Sequence, residues 1–199
     1  MAKLYFRYGA MDSSKTANAL MVRYNYLEKK QNPVLLKPKL ENRDGETMIR
    51  SRIGLEAECE FVEDFLKKAE EEWLSGKSDD YRKIDCIIVD EAQFLTERQV
   101  DLFARMVDEL NVPVICYGLR TDFTGHLFEG SKRLFELANR LEEISTVCWC
   151  GKKAEFNARV KDGKIIRTGD TIMMGGNESY VSVCRKHFFS GQLFKPDES

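Results

Sequence analysis

The chain has 199 residues, with 31 Lys and Arg against 33 Asp and Glu, a net charge of −2 at neutral pH. That length supports one full core and a small appended unit, and the balanced charge excludes the electrostatic grip of a nonspecific nucleic-acid or membrane-surface binder, favouring a small ligand. The start, MAKLYFRYGAM, has no apolar signal region and no run reaches membrane-spanning length; the six cysteines are therefore expected to be reduced thiols of a cytoplasmic protein, with any cluster binding metal rather than forming disulfides.

The first predicted strand, Leu4-Tyr5-Phe6, runs into Gly9-Ala10-Met11-Asp12-Ser13-Ser14-Lys15-Thr16. This spacing is that of a phosphate loop at a strand-to-helix junction. Gly9 permits a tight turn, successive backbone N–H groups face phosphate oxygens, Lys15 reaches the β and γ phosphates, and the Thr16 hydroxyl suits Mg²⁺. Ser14 stands where a second glycine is usual, and its Cβ opposes a backbone angle that glycine takes freely.

Ala17, Leu20, Met21, Tyr24 and Leu27 recur at helical spacing, predicting a helix from Lys15 to Lys30. Asn32-Pro33 ends it, and Val34-Leu35-Leu36 predicts a second strand, so a parallel α/β sheet is expected. From Lys37 to Ala57 the period is lost. Arg43, Arg50 and Arg52 in this segment either line a ligand crevice and clamp phosphate or belong to a solvated loop. Phe61, Val62, Phe65, Leu66, Ala69 and Trp73 then mark an amphipathic helix over 60–75.

Ile84 to Val89 reads as a buried strand ending in Asp90-Glu91. An acid at the carboxyl end of such a strand lies beside the phosphate loop and can hold the water shell of Mg²⁺; Asp90 takes that part and Glu91 is left as a base. The alternative is a helix N-cap or a strand-end acid facing solvent. Thr96-x-x-Gln99 opens a helix to Leu110, and 112–118 is a further core strand whose tip, Leu119 to Phe123, falls on the ligand side of the sheet. A helix is predicted over 131–141 and a short strand over 144–147.

Beyond Val147 come Cys148-Trp149-Cys150, a charged hairpin turning at Asp162-Gly163, and Cys184-x-x-His187. Three cysteines and a histidine suit a closed tetrahedral Zn²⁺ site that would staple a unit with little core of its own; ordinary reduced thiols and a surface histidine are the alternative. Cys59, Cys86 and Cys116 read as small buried residues, and His126 as a surface side chain.

The stretches LYFRYGAMDSSKT, SRIG, IIVDEAQFL, VPVICYGLRTDF, LFEGS and GGNESYVSVCRKH, in that order from Leu4 to His187, resemble the bacterial branch of the type II thymidine kinases. The resemblance implies a RecA-like ATP-binding domain over 1–147, a small zinc-ribbon-like domain with a nucleoside-covering loop over 148–190, and a tail over 191–199. It implies transfer of the γ-phosphoryl group of ATP to the 5′-hydroxyl of thymidine, and of deoxyuridine, with Mg²⁺. Glu91 would be the general base. Met11, Phe94, Leu119, Phe123 and Tyr180 would surround the nucleoside, the backbone of Met174, Gly175, Gly176, Asn177 and Glu178 would lace over it, and Arg43 would contact phosphate or the 5′ group. The resemblance further implies a homotetramer inhibited by dTTP. Two departures are visible: Ser14 replaces the usual glycine, and Glu41, two residues before Arg43, replaces an aspartate. Rival expectations are an ATP-binding module whose zinc unit binds nucleic acid, and a kinase for another deoxynucleoside.

Overall fold

The computed structural model describes residues 1–40, 47–74, 81–169 and 179–194. In chain order the elements are β1 (Leu4–Tyr8), α1 (Lys15–Glu28), β2 (Pro33–Lys37), β3 (Met48–Arg50), β4 (Glu56–Glu58), β5 (Glu60–Phe61), α2 (Val62–Leu74), β6 (Cys86–Val89), α3 (Glu97–Leu110), β7 (Val114–Gly118), α4 (Glu129–Leu137), β8 (Arg140–Glu143), β9 (Thr146–Val147), β10 (Lys153–Ala154), β11 (Phe156–Lys161), β12 (Lys164–Ile166), β13 (Ser179–Val183) and α5 (Arg185–Ser190).

Six strands form one sheet in the order β5-β2-β6-β7-β1-β8, every pairing parallel. The two innermost strands explain why: Cys86–Val89 and Val114–Gly118 are buried at every position, as strands covered on both faces must be. One face carries α2, α3 and α4, whose Phe65, Val100, Phe103, Met106 and Leu134 pack on Phe6, Ile87, Val89 and Val114. The other carries α1 and the β3–β4 hairpin, through Ala19, Leu20 and Ile49 on Leu35, Ile88 and Ile115. Each fully buried aliphatic side chain contributes about 1.5–3 kcal/mol.

Helix α3 starts as its sequence requires: the Thr96 hydroxyl accepts from the Gln99 N–H at 3.2 Å, and the Gln99 side chain accepts from the Thr96 N–H at 2.9 Å. Helix α1 differs from expectation in its buried face. Ala17, Ala19 and Leu20 are covered, whereas Met21, Tyr24 and Leu27 are exposed.

Two stretches fold otherwise than their patterns predict. The segment expected to be an aperiodic loop contains the antiparallel β3–β4 hairpin, with Met48 opposite Glu58 and Arg50 opposite Glu56. The helix expected to reach Leu141 stops at Leu137, because Ala138 is already extended and the Asn139 side chain accepts the Leu4 N–H at 2.8 Å, drawing the chain alongside β1. The chain then enters β8, an edge strand with charged, solvent-facing side chains that carries no apolar run. The strand expected over 144–147 shortens to β9, which pairs with β10 outside the main sheet.

The C-terminal part is antiparallel, in the order β12-β11-β13. Asp162 and Gly163 turn the β11–β12 hairpin, both with positive φ (49° and 72°), as a two-residue hairpin turn demands. Its core is separate: Ala154, Ala158, Val160, Val183 and Phe188 gather around Cys148 and Cys184.

Candidate active site

A parallel sheet presents its ligand groups at the carboxyl ends of its strands. Here β1 delivers Gly9 to Thr16, β2 delivers Lys37, β6 delivers Asp90 and Glu91, and β7 delivers Leu119 to Phe123. Lys15 and Asp90, 75 positions apart, line the same cavity of about 600 Å³.

The phosphate loop turns tightly on itself. A Cβ at Gly9 would stand 2.3 Å from the Ile144 carbonyl and 2.6 Å from Ser13 Oγ, so only glycine fits. The Ser13 hydroxyl donates to the Ala10 carbonyl at 2.8 Å, and Lys15 Nζ donates to that carbonyl at 2.7 Å and to Ser13 Oγ at 3.2 Å. Asp12 and Ser14 are both left-handed, with φ of 62° and 59°; Ser14 takes the glycine-like angle despite its Cβ. Burial pulls the Lys15 ammonium below its ordinary value, against the attraction of Glu91, Asp90 and Asp12.

Asp90 is 3 % exposed and is hydrogen-bonded by the Thr16 hydroxyl. Burial, with repulsion from Glu91 behind it, pushes its carboxyl up to about 7. A buried acid whose charge is so poorly compensated suits a divalent cation, and the Thr16–Asp90 pair supplies the hard oxygen donors that Mg²⁺ prefers. Glu91 is itself left-handed, at φ 51° and ψ 37°, and its carboxylate accepts from the Gln93 amide. Gln93 also accepts the Leu119 N–H at 2.9 Å, which ties the acidic turn to the tip of β7.

The cavity wall beyond the acids is apolar. Met11, Phe94, Leu119, Phe123 and Tyr180 all line it, with Phe128, whose ring meets Phe94 edge-on at 5.8 Å. Phe123 is backed by the guanidinium of Arg159, 4.9 Å from its ring centroid, with Arg159 2 % exposed. The Thr121 hydroxyl, on the same wall, is buried without a hydrogen-bond partner among the described residues. Arg50 and Arg52 line the rim from the hairpin, and Arg52 reaches across to pair with the Asp12 carboxylate. Arg43 and the segment Met174, Gly175, Gly176, Asn177 and Glu178 lie outside the described residues.

The structure brings Cys148, Cys150, Cys184 and His187 together, their ligand atoms all within 4.8 Å of one another. Cys148 Sγ and Cys184 Sγ stand 3.3 Å and 3.4 Å from His187 Nδ1, and Cys150 Sγ is 3.9 Å from Cys184 Sγ. These separations match the edges of a tetrahedron with Zn–S and Zn–N bonds of about 2.3 Å and 2.0 Å. The three cysteines are free of disulfides, and the Trp149 ring stacks on His187 at 4.2 Å. Burial raises the Cys148 thiol, whereas the Lys152 backbone N–H lowers that of Cys150. Cys59, Cys86 and Cys116 are buried elsewhere, and His126 is exposed.

Several contributors escaped the sequence reading. Lys37, 1 % exposed, anchors the hairpin by donating to the Met48 carbonyl at 2.9 Å; a lysine directly after a buried apolar run was the available signal. Gln93, Thr121, Asn157 and Ser182 are single polar residues in apolar surroundings, with no spacing that marks them.

The thymidine kinase family profile matches residues 2–188. The chain is 44 % identical over 194 residues to a thymidine kinase of Lactococcus lactis, covering 97 % of this chain and all of that one. It is 44 % identical to one of Pasteurella multocida (94 % and 97 % covered) and 42 % identical to one of Francisella tularensis (96 % and 98 %). Among solved structures it is similar to a replication initiator DnaA bound to AMPPCP and single-stranded DNA, at 19 % identity and a TM-score of 0.43, over 73 % of this chain and 41 % of that one.

Proposed function

The chain belongs to the thymidine kinase family, and on that premise we propose that its cavity transfers the γ-phosphoryl group of ATP to the 5′-hydroxyl of thymidine, and of deoxyuridine. The observation that carries this reading is the cavity itself, in which the phosphate-loop Lys15 and the acids Asp90 and Glu91 meet an apolar wall fit for a flat base. Aromatic and Met side chains hold such a base by its faces.

In this reading Gly9 to Thr16 cradle the triphosphate, with N–H groups at the start of α1 facing its oxygens. Thr16 and Asp90 would hold Mg²⁺, which would supply neutralisation of the phosphate charge. Glu91 accepts the proton of the 5′-hydroxyl as that oxygen attacks the γ phosphorus. Most of the rate comes from alignment and charge neutralisation, because a loose phosphoryl-transfer transition state leaves the protein little covalent chemistry to do. Met11, Phe94, Leu119, Phe123 and Tyr180 grip the nucleoside, the backbone of 174–178 laces over it, and Arg43 meets the phosphate or 5′ group.

The same proposal takes 148–190 as a unit stapled by Zn²⁺ on Cys148, Cys150, Cys184 and His187. It extends to a cytoplasmic homotetramer inhibited by dTTP. Among the described residues no helix is long and apolar enough to cross a membrane. The test is a kinase assay with thymidine, deoxyuridine and deoxycytidine, with and without Mg²⁺. Magnesium-dependent turnover of the first two is expected; turnover of deoxycytidine alone would assign another nucleoside.

A further inference from the structure

The phosphate loop is held from outside by a part of the chain that comes nearly 150 residues after it. Asn157 on β11 accepts the Met11 N–H on its Oδ1 at 2.7 Å. Ser182 on β13 places its hydroxyl 2.8 Å from the Met11 carbonyl and 3.0 Å from Asp12 Oδ2, able to donate to either. Asn157 and Ser182 are direct partners across the β11–β13 pairing, so both side chains leave the sheet on one face at one rung. They are 3 % and 8 % exposed.

That rung faces both backbone polar groups of Met11, immediately before the first of two left-handed residues, Asp12 and Ser14. Non-glycine residues in that region persist only where their surroundings over-determine the backbone. Inside the loop the Ser13–Ala10 and Lys15–Ala10 hydrogen bonds contribute, but Lys15 must turn toward phosphate to act. A further hold, which comes from outside the loop and does not depend on Lys15, is supplied by the C-terminal sheet.

We propose that the Asn157–Ser182 rung is a positioning device for the phosphate loop, so that affinity for the nucleotide's phosphates depends on a sheet that lies outside the Gly9–Thr16 segment, although Asn157 also lines the cavity. The inference rests on the kinase reading only in taking the loop as a nucleoside di- and triphosphate site. Ser182 lies two residues before Cys184, and β11 comes after the Cys148–Cys150 segment, so the grip on Met11 is built on the same strands that the Cys/His cluster staples.

The test measures Mg·ADP affinity by calorimetry in the absence of nucleoside, alongside thymidine turnover. Ser182→Thr keeps the hydroxyl and Ser182→Val has the same shape without it; the valine variant should bind Mg·ADP about five- to tenfold more weakly than the threonine variant, as expected for one lost buried hydrogen bond. Asn157→Leu should lose a similar factor. Val160→Ala, a cavity in the same strand away from Met11, serves as the control for general loosening and should lose less than twofold. Equal affinities for the Thr and Val variants would overturn the proposal, as would a loss in Val160→Ala matching that in Asn157→Leu. Wild-type protein that binds Mg·ADP but does not phosphorylate thymidine would sink the kinase reading and leave this one standing.

Discussion

The Gln93 side chain donates to the Glu91 carboxylate and accepts the Leu119 N–H, so one buried amide joins the acid after β6 to the wall after β7. Glu91 sits in a left-handed turn that this contact helps to hold. Glu91 lines the cavity with Lys15 and Asp90, where the proposed mechanism has it take a proton. Glu91→Gln keeps the shape and removes the proposed base, and kcat should fall about 10²-fold or more with thymidine affinity within a few-fold of wild type. Rapid-quench single turnovers and nucleoside titrations would measure the two separately; a near-normal kcat would move the base elsewhere.

Gly118 lets that amide approach. A Cβ there would meet the Gln93 N and Oε1 at 2.9 Å. One of these is backbone, so Gly118→Ala must push the 92–94 turn away from β7, at about 1–3 kcal/mol for overpacking. The expected result is a lower melting temperature together with a kcat loss larger than any change in the KM for ATP, since the clash falls on the turn after Glu91 while the Gly118 carbonyl can keep its bond to the Gly9 N–H. Unchanged kcat would show that the Glu91 turn tolerates the shift.

The parts of this site that were legible in the sequence are those with a local signature. The phosphate loop comes after a strand and opens a helix, and the Asp90-Glu91 pair ends a strand buried at all four positions, so spacing and hydrophobic runs suffice. The Cys/His set was legible because four soft or borderline ligands in a small-core tail have few other uses. Asn157 and Ser182 carry no such mark: their partners are backbone atoms 146 and 171 positions away, and hydrogen bonds to backbone select no complementary residue type. Strand β8 was hidden for a different reason, being an edge whose Arg140, Leu141 and Glu143 face solvent.

Ser14 gives a prediction on stability. At φ 59° and ψ 27° its Cβ costs about 1–2 kcal/mol relative to a right-handed residue, which glycine would not incur, while glycine adds about 0.5–1 kcal/mol of unfolded-chain entropy. Ser14→Gly should therefore raise the melting temperature slightly, by about 1–2 °C, and leave Mg·ADP affinity equal to or better than wild type. A clear fall in stability would mean that the serine side chain contributes a contact that outweighs its strain.

Asp90 links stability to pH. Its carboxyl titrates at about 7 in the fold, against an ordinary value of 3.8, so below about pH 4 it is protonated in both states and has no differential effect. Between pH 4 and 7 the unfolded chain releases the proton and the native one keeps it, so stability falls as pH rises; above 7 the full penalty remains. Asp90→Asn removes the penalty. The variant should melt higher than wild type at pH 8, with the gap closing toward pH 4, and it should lose phosphoryl transfer because the proposed Mg²⁺ site loses its carboxylate. A gap independent of pH, read by calorimetry without nucleotide, would rule out this origin.

The Cys/His cluster should hold about one Zn²⁺ per chain in protein purified without chelator, and metal analysis finding less than half an equivalent would count strongly against it. Cys184→Ser removes one of the four proposed ligands from a unit whose own core is small, so a fall in melting temperature is the expected primary effect. The connectivity also sets where the damage travels. Cys184 comes directly after β13, and Ser182 on that strand holds Met11, so metal loss should weaken Mg·ADP binding in step with the loosening of β13. Hydrogen exchange would show this as faster exchange at 179–183 and at the phosphate loop together, with the strands β6 and β7 protected. Loosening confined to the C-terminal sheet, with the loop unchanged, would separate the metal site from the nucleotide site.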